Sequence, residues 1–146
     1  MNKRHYEHTL PNIRGSLSNT YSSLKNNSMF NQLIQSDMIK ISEELLAKFN
    51  ANPLYSKDGQ GINAEVIAKF YVPFSEACWL ITEASQEGDD WLMFGYCHIF
   101  EWEFGYVSLS EIMELNIKGI TAQIDNTLPR GCTIKDCLKK IQFAEH

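Results

Sequence analysis

Three carboxylates and one imidazole in the middle of the chain are the residues best placed to do chemistry. Glu83 follows Thr82 at the end of an apolar run, Glu101 and Glu103 bracket Trp102, and His98 lies just before them. Carboxylates at neighbouring strand ends can hold Mg²⁺ or Mn²⁺, or divide the acid and base roles of a reaction, and a histidine beside them adds a proton carrier. A small metal-dependent enzyme acting on nucleic acid or nucleotides through Glu83, Glu103 and His98 is therefore one expectation.

The spacing argues against it. No HxxxH or DxD pattern accompanies these residues, and no glycine-rich strand-to-helix turn offers a phosphate cradle. Ser108 and Ser110 lack the GxSxG elbow of a serine nucleophile. Cys78, Cys97, Cys132 and Cys137 show no CxxC spacing and read as ordinary buried thiols. Glu83 and Glu103 have structural uses too, as ion-pair partners for Lys69 or Arg130. No metal site and no cofactor is expected.

Charge points to a different use for the acids. The 146 residues carry a net charge of −5, but residues 1–30 are +3 and residues 31–146 are −8. Between Lys69 and Lys118 there is no Lys or Arg, while nine Asp and Glu fall there, among them Asp89 and Asp90. Phosphates are held by Lys and Arg, so this interval is a poor candidate for direct nucleic-acid binding. It suits a basic partner better. In Phe100-Glu101-Trp102-Glu103-Phe104, alternation exposes either the aromatics or the acids. If Trp102 faces outward, it is a rigid anchor rimmed by carboxylates, a combination that suits a protein-binding surface.

The elements that must position these residues follow from periodicity. Residues 1–30 form a polar, mildly basic extension in which Leu10, Ile13, Leu17, Tyr21 and Leu24 keep helical spacing, so a docking helix is possible there. Residues 31–146 form a single domain. Phe30 to Phe49 reads as helix, broken near Ser42, which can cap a new turn, and stopped before Pro53. From Glu65 the period falls to two. Strands are expected over 65–72, 78–84, 91–100 and 104–107, with a further extended piece at 120–124. Gly95 and Gly105 inside strands mark bulges or close backbone approach. Ser108 to Glu111 forms a capping box for a short helix, and Thr133 caps a C-terminal helix with Ile134, Cys137, Leu138 and Ile141 on its apolar stripe. The fold class is α+β: an antiparallel four- to five-stranded meander flanked by helices.

Several runs in the meander carry a resemblance. Ala68-Lys69-Phe70-Tyr71-Val72-Pro73, Trp79-Leu80-Ile81-Thr82-Glu83, Phe94-Gly95-Tyr96 and Glu103-Phe104-Gly105-Tyr106-Val107-Ser108-Leu109-Ser110-Glu111 are similar to the strands and strand-to-helix junction of the bacterial family called domain of unknown function 2958. The resemblance covers about residues 39–142, with Tyr96-Cys97-His98 and Phe104 departing from the family pattern. It implies an accessory protein of a plasmid, phage or integrated element, often found beside anti-restriction and DNA-metabolism genes. Together these readings lead to a cytoplasmic binding protein, non-enzymatic rather than catalytic. It presents Glu83, Asp89, Asp90, Glu101, Trp102 and Glu103 to a basic surface on a nucleic-acid-handling or defence protein.

Overall fold

In the computed structural model, residues 41–144 are described. The expected docking helix within residues 1–30 and the stretch from Phe30 to Lys40 lie outside the described residues. The first helix, α1 (Glu43–Ala51), begins where the sequence suggested: the Ser42 hydroxyl accepts from the Leu45 amide, and Glu43 and Glu44 occupy the positive first turn. It stops at Asn52, before Pro53. A connection with a 3₁₀ turn at Gly61–Asn63 leads into the sheet.

Four strands follow as a meander: β1 (Ala68–Tyr71), β2 (Cys78–Glu87), β3 (Asp90–His98) and β4 (Trp102–Ser108). The short helix α2 (Leu109–Glu114) comes next, then the small hairpin β5 (Asn116–Ile117) and β6 (Ile120–Thr121), the edge strand β7 (Gln123–Ile124) and the helix α3 (Ile134–Ala144). The main sheet runs β4-β3-β2-β1-β7, and all its pairings are antiparallel. The architecture is thus the expected α+β meander, its fifth strand supplied by the second half of the extended piece at 120–124.

β1 is shorter than expected, 68–71 against 65–72, and β2 is longer, running three residues past Ala84 to Glu87 and meeting Asp90 across the two-residue turn Gly88-Asp89. Gly88 takes the positive φ (62°) that such a turn requires. Between Ile81 and Glu83 the register with β3 shifts by one residue. Gly95, paired with Ile81, is indispensable there, since a Cβ on it would sit 2.0 Å from the Leu80 carbonyl oxygen. Gly105 has open space around it, so the sequence signal was informative at one glycine and empty at the other.

Each face of the sheet is covered. On one, α1 and α2 bury Leu45, Phe49 and Ile112 against Trp79, Ile81, Met93 and Val107. On the other, Ile134 and Cys137 of α3 pack with Val66, Cys78 and Leu80, and Leu54 of the connection packs with Leu92, Phe94 and Tyr106. Burying a side chain such as Phe49 or Phe70, both fully enclosed, contributes about 1.5–3 kcal/mol. Because the strands alternate in direction, the sheet has two dissimilar ends. One carries the β1–β2 and β3–β4 loops and is called the loop end below. The other carries the β2–β3 turn and the start of α2, and is called the turn end.

Candidate functional site

The register shift decides the fate of Glu83. Strict alternation puts Glu83 on the same face as Trp79 and Ile81, among the side chains under α1 and α2. The extra residue, Thr82, flips it to the other face, where Leu54 and its neighbours lie. Glu83 is fully buried. Its two carboxyl oxygens accept from the Tyr55 and Lys57 amides, each at 2.8 Å. The Leu54 amide donates to Ser85 and the Ala84 amide to the Asn52 carbonyl, so residues 52–57 are fastened to β2 by four hydrogen bonds. Burial holds the Lys57 ammonium below the ordinary lysine value, opposed by the charges of Glu65 and Glu83, and its Nζ donates to the Glu65 carbonyl. Glu83 is thus a clamp inside the fold and is not part of a solvent-facing surface.

The other sequence-chosen acids are divided between the two ends. Asp89 and Asp90 lie at the turn end. Asp90 accepts from the Trp91 and Ser110 amides and from the Ser110 hydroxyl, which ties the β2–β3 turn to the first turn of α2. There the Ser108 hydroxyl accepts from the Glu111 amide, as expected of a cap. Burial pushes the Glu114 carboxyl up, and the nearby charges of Asp90 and Glu111 push it further. Glu101 and Glu103 are exposed at the loop end.

Trp102 does not face outward. It stacks on Tyr96 at 5.2 Å, touches His98 edge-on, and belongs to the cluster packed under α3.

These positions separate the enzyme candidates. Glu103 pairs with Cys97, so its side chain is on the face opposite that of His98, which pairs with Trp102. Glu83 pairs with Phe94, four residues from His98, or about 13 Å along the strand at 3.3–3.4 Å per residue. Among the described residues no three His, Cys, Asp or Glu side chains gather as a metal site. The cysteines are free thiols. Burial pushes Cys78 up to about 11 and Cys137 up to about 12, where hydrogen bonding with Cys132, 3.3 Å away, adds to it. Burial likewise pushes Cys97 upward.

The loop end holds what sequence reasoning missed. Phe74 is 98% exposed and Phe100 95%, with Ile99 half exposed beside it. Phe74 is held there by a tight turn. The Ser75 amide and hydroxyl both donate to the Val72 carbonyl, the Ala77 amide donates to the Ser75 hydroxyl, and the Val72 amide donates to the Ala77 carbonyl. In this turn Pro73 is the first central residue and Phe74 the second, with φ 62°, a conformation that favours glycine. A bulky side chain there costs about 1–2 kcal/mol. The signal was present in the sequence: Phe74 follows the proline that ends a strand, so no core face accounts for it.

The two phenylalanine loops are separated by two strand spacings, about 10 Å at the strand ends. Exposed Glu76, Glu101 and Glu103 surround them, and neither loop contains Lys or Arg. Beside them, on the face covered by α3, lies a cleft of about 540 Å³.

The family described as "Protein of unknown function (DUF2958)" matches residues 40–130, well over half of the chain. The chain belongs to the DUF2958 family. The matched residues take in the whole meander and both loops of the loop end. No curated protein and no solved structure matches this DUF2958 chain. No helix among its described residues is long and apolar enough to cross a membrane.

Proposed function

We propose that the chain is a non-enzymatic accessory protein of a plasmid or phage that acts in the cytoplasm by binding another protein. Docking is through the loop end, with Phe74 and Phe100 as anchors and Glu76, Glu101 and Glu103 as the rim. One observation carries this reading: a phenylalanine kept 98% exposed in a turn conformation that glycine adopts more easily. Backbone strain at a surface aromatic is unfavourable for folding alone and is typical of sites that serve recognition.

The charge around the anchors selects the partner class. Three carboxylates without a neighbouring cation on either loop favour a basic surface, and the same charge repels nucleic acid. A nucleic-acid-handling protein, for instance one belonging to a host defence system, has such a surface, and an acidic face can compete with nucleic acid for it. Glu83, Asp89 and Asp90 do not belong to this interface, since Glu83 is enclosed and the two aspartates are at the opposite end.

The test is affinity capture from host lysate, followed by measured binding of the captured protein to three forms of the chain. Wild type should bind a basic protein with affinity that falls steeply as salt rises. The double variant Phe74→Ser/Phe100→Ser should lose at least about 30-fold, the effect of removing an aromatic hot spot of about 2 kcal/mol. The reversal Glu101→Lys/Glu103→Lys should fold normally and bind weakly. Undiminished affinity in both variants would remove the loop end from the interface.

A further inference from the structure

The cleft beside the loop end is built by strand register. Tyr71 pairs with Cys78, Cys78 with His98, and His98 with Trp102, so these four side chains form one row across β1 to β4 on the face covered by α3. All four line the cleft, with Ile141 of α3 closing one wall and Glu76 contributed by the β1–β2 turn. The floor is therefore a band of flat rings, broken by one buried thiol.

Charge and hydrogen bonding then narrow what fits. Lys69 lines the cleft but is already committed: its ammonium lies 3.5 Å from Asp125, and both side chains are mostly buried. The Asp125 carboxyl also accepts from the Thr127 amide and hydroxyl. The remaining charge is Glu76, an exposed carboxylate with no hydrogen bond or ion pair among the described residues. Among the described residues an anion has no uncommitted cation to meet there. His98 contributes the flat face of its ring, its Nδ1 being buried and without a hydrogen-bond partner among the described residues. The volume is within the range of small-ligand sites.

We infer that this cleft receives an arginine side chain of the partner, its guanidinium lying against the aromatic row and paired with Glu76. The inference rests on the reading above that the partner is basic. A guanidinium is flat, weakly hydrated and rich in donors, so it stacks on Trp or Tyr rings and pairs with a carboxylate at the same time. An ammonium is a compact, strongly hydrated point charge that matches the floor less well. The two phenylalanines thus provide apolar grip, while the cleft reads one particular basic side chain.

N-acetyl-arginine-N-methylamide is the probe, titrated into the full-length protein and followed by NMR of the Trp102 indole and the His98 ring. Both signals should move at millimolar probe, with the lysine analogue at least several-fold weaker, and Glu76→Gln should weaken arginine binding several-fold. Phe74→Gly should leave probe binding unchanged even where it abolishes partner capture, which separates failure of this inference from failure of the docking surface. Signals that do not move at tens of millimolar, equal response to the lysine analogue, or an unaffected Glu76→Gln variant would overturn it.

Discussion

Phe74 shows how a single residue can be unfavourable for the fold and still be kept in place by it. The hydrogen bonds that close the turn run among Val72, Ser75 and Ala77 and none of them uses the Phe74 side chain, which bears the cost of the left-handed conformation. Phe74→Gly removes about 1–2 kcal/mol of strain and returns about 0.4–1 kcal/mol to the flexibility of the unfolded chain. The variant should therefore unfold at higher urea than wild type, by about 0.5–1 kcal/mol, while losing partner affinity. A lower urea midpoint would mean that the conformation is not strained. At this scale the sequence was a partial guide. Glu101 and Glu103 are exposed as their charge suggested, but Trp102 lies on the sheet and Phe100 takes the outward place. Alternation leaves two choices of face, and the contacts of Trp102 with Tyr96 and His98 choose between them.

The register shift in β2 matters at the scale of elements. Periodicity revealed the strands, the caps at Ser42, Ser108 and Thr133, and the meander, because each depends on residues close in sequence. A bulge leaves no comparable pattern. It adds one residue to an otherwise regular alternation, and here it moves Glu83 from one face to the other and turns a candidate catalytic acid into a clamp for residues 55–57. Gly95 is its necessary counterpart. Gly95→Ala should destabilise the protein by about 1–3 kcal/mol, the usual cost of forcing extra volume into a packed site. Gly105→Ala, also within the sheet but in open space, should be neutral or stabilising by up to about 1 kcal/mol. Thermal melts of the two variants compare them directly, and equal losses would contradict the close approach at Gly95.

Over the whole molecule, the acidic interval that looks continuous in sequence is distributed to three places. Glu83 goes to the interior, Asp90, Glu111 and Glu114 to the turn end, and Glu76, Glu101 and Glu103 to the loop end. Only strand direction could reveal this, since consecutive hairpins send consecutive acids to opposite ends. Acid stability has a more local origin at Asp125. Its partial burial favours the neutral form, but hydrogen bonds from Thr127 and the Lys69 ammonium outweigh that and hold its carboxyl below the ordinary 3.8. A lowered value in the folded state gives stability that is fully present above pH 3.8 and lost as pH falls through the folded value. Asp125→Asn should therefore be less stable than wild type at pH 7, and the difference should shrink as the solution is acidified below pH 4. Urea midpoints at pH 7 and pH 3 measure it, and a gap that stays constant would exclude the ion pair as its source.

The opposed ends of the sheet also divide what selection can change. The residues that set register and clamp β2, namely Thr82, Glu83, Gly95 and their partners in 52–57, make no use of residues 73–76 or 99–101. The two loops can therefore be rewritten together, in length or in side chain, while the sheet beneath them continues to fold. On the proposed reading, exchanging this pair of short segments would change what the chain binds without rebuilding the sheet that carries them.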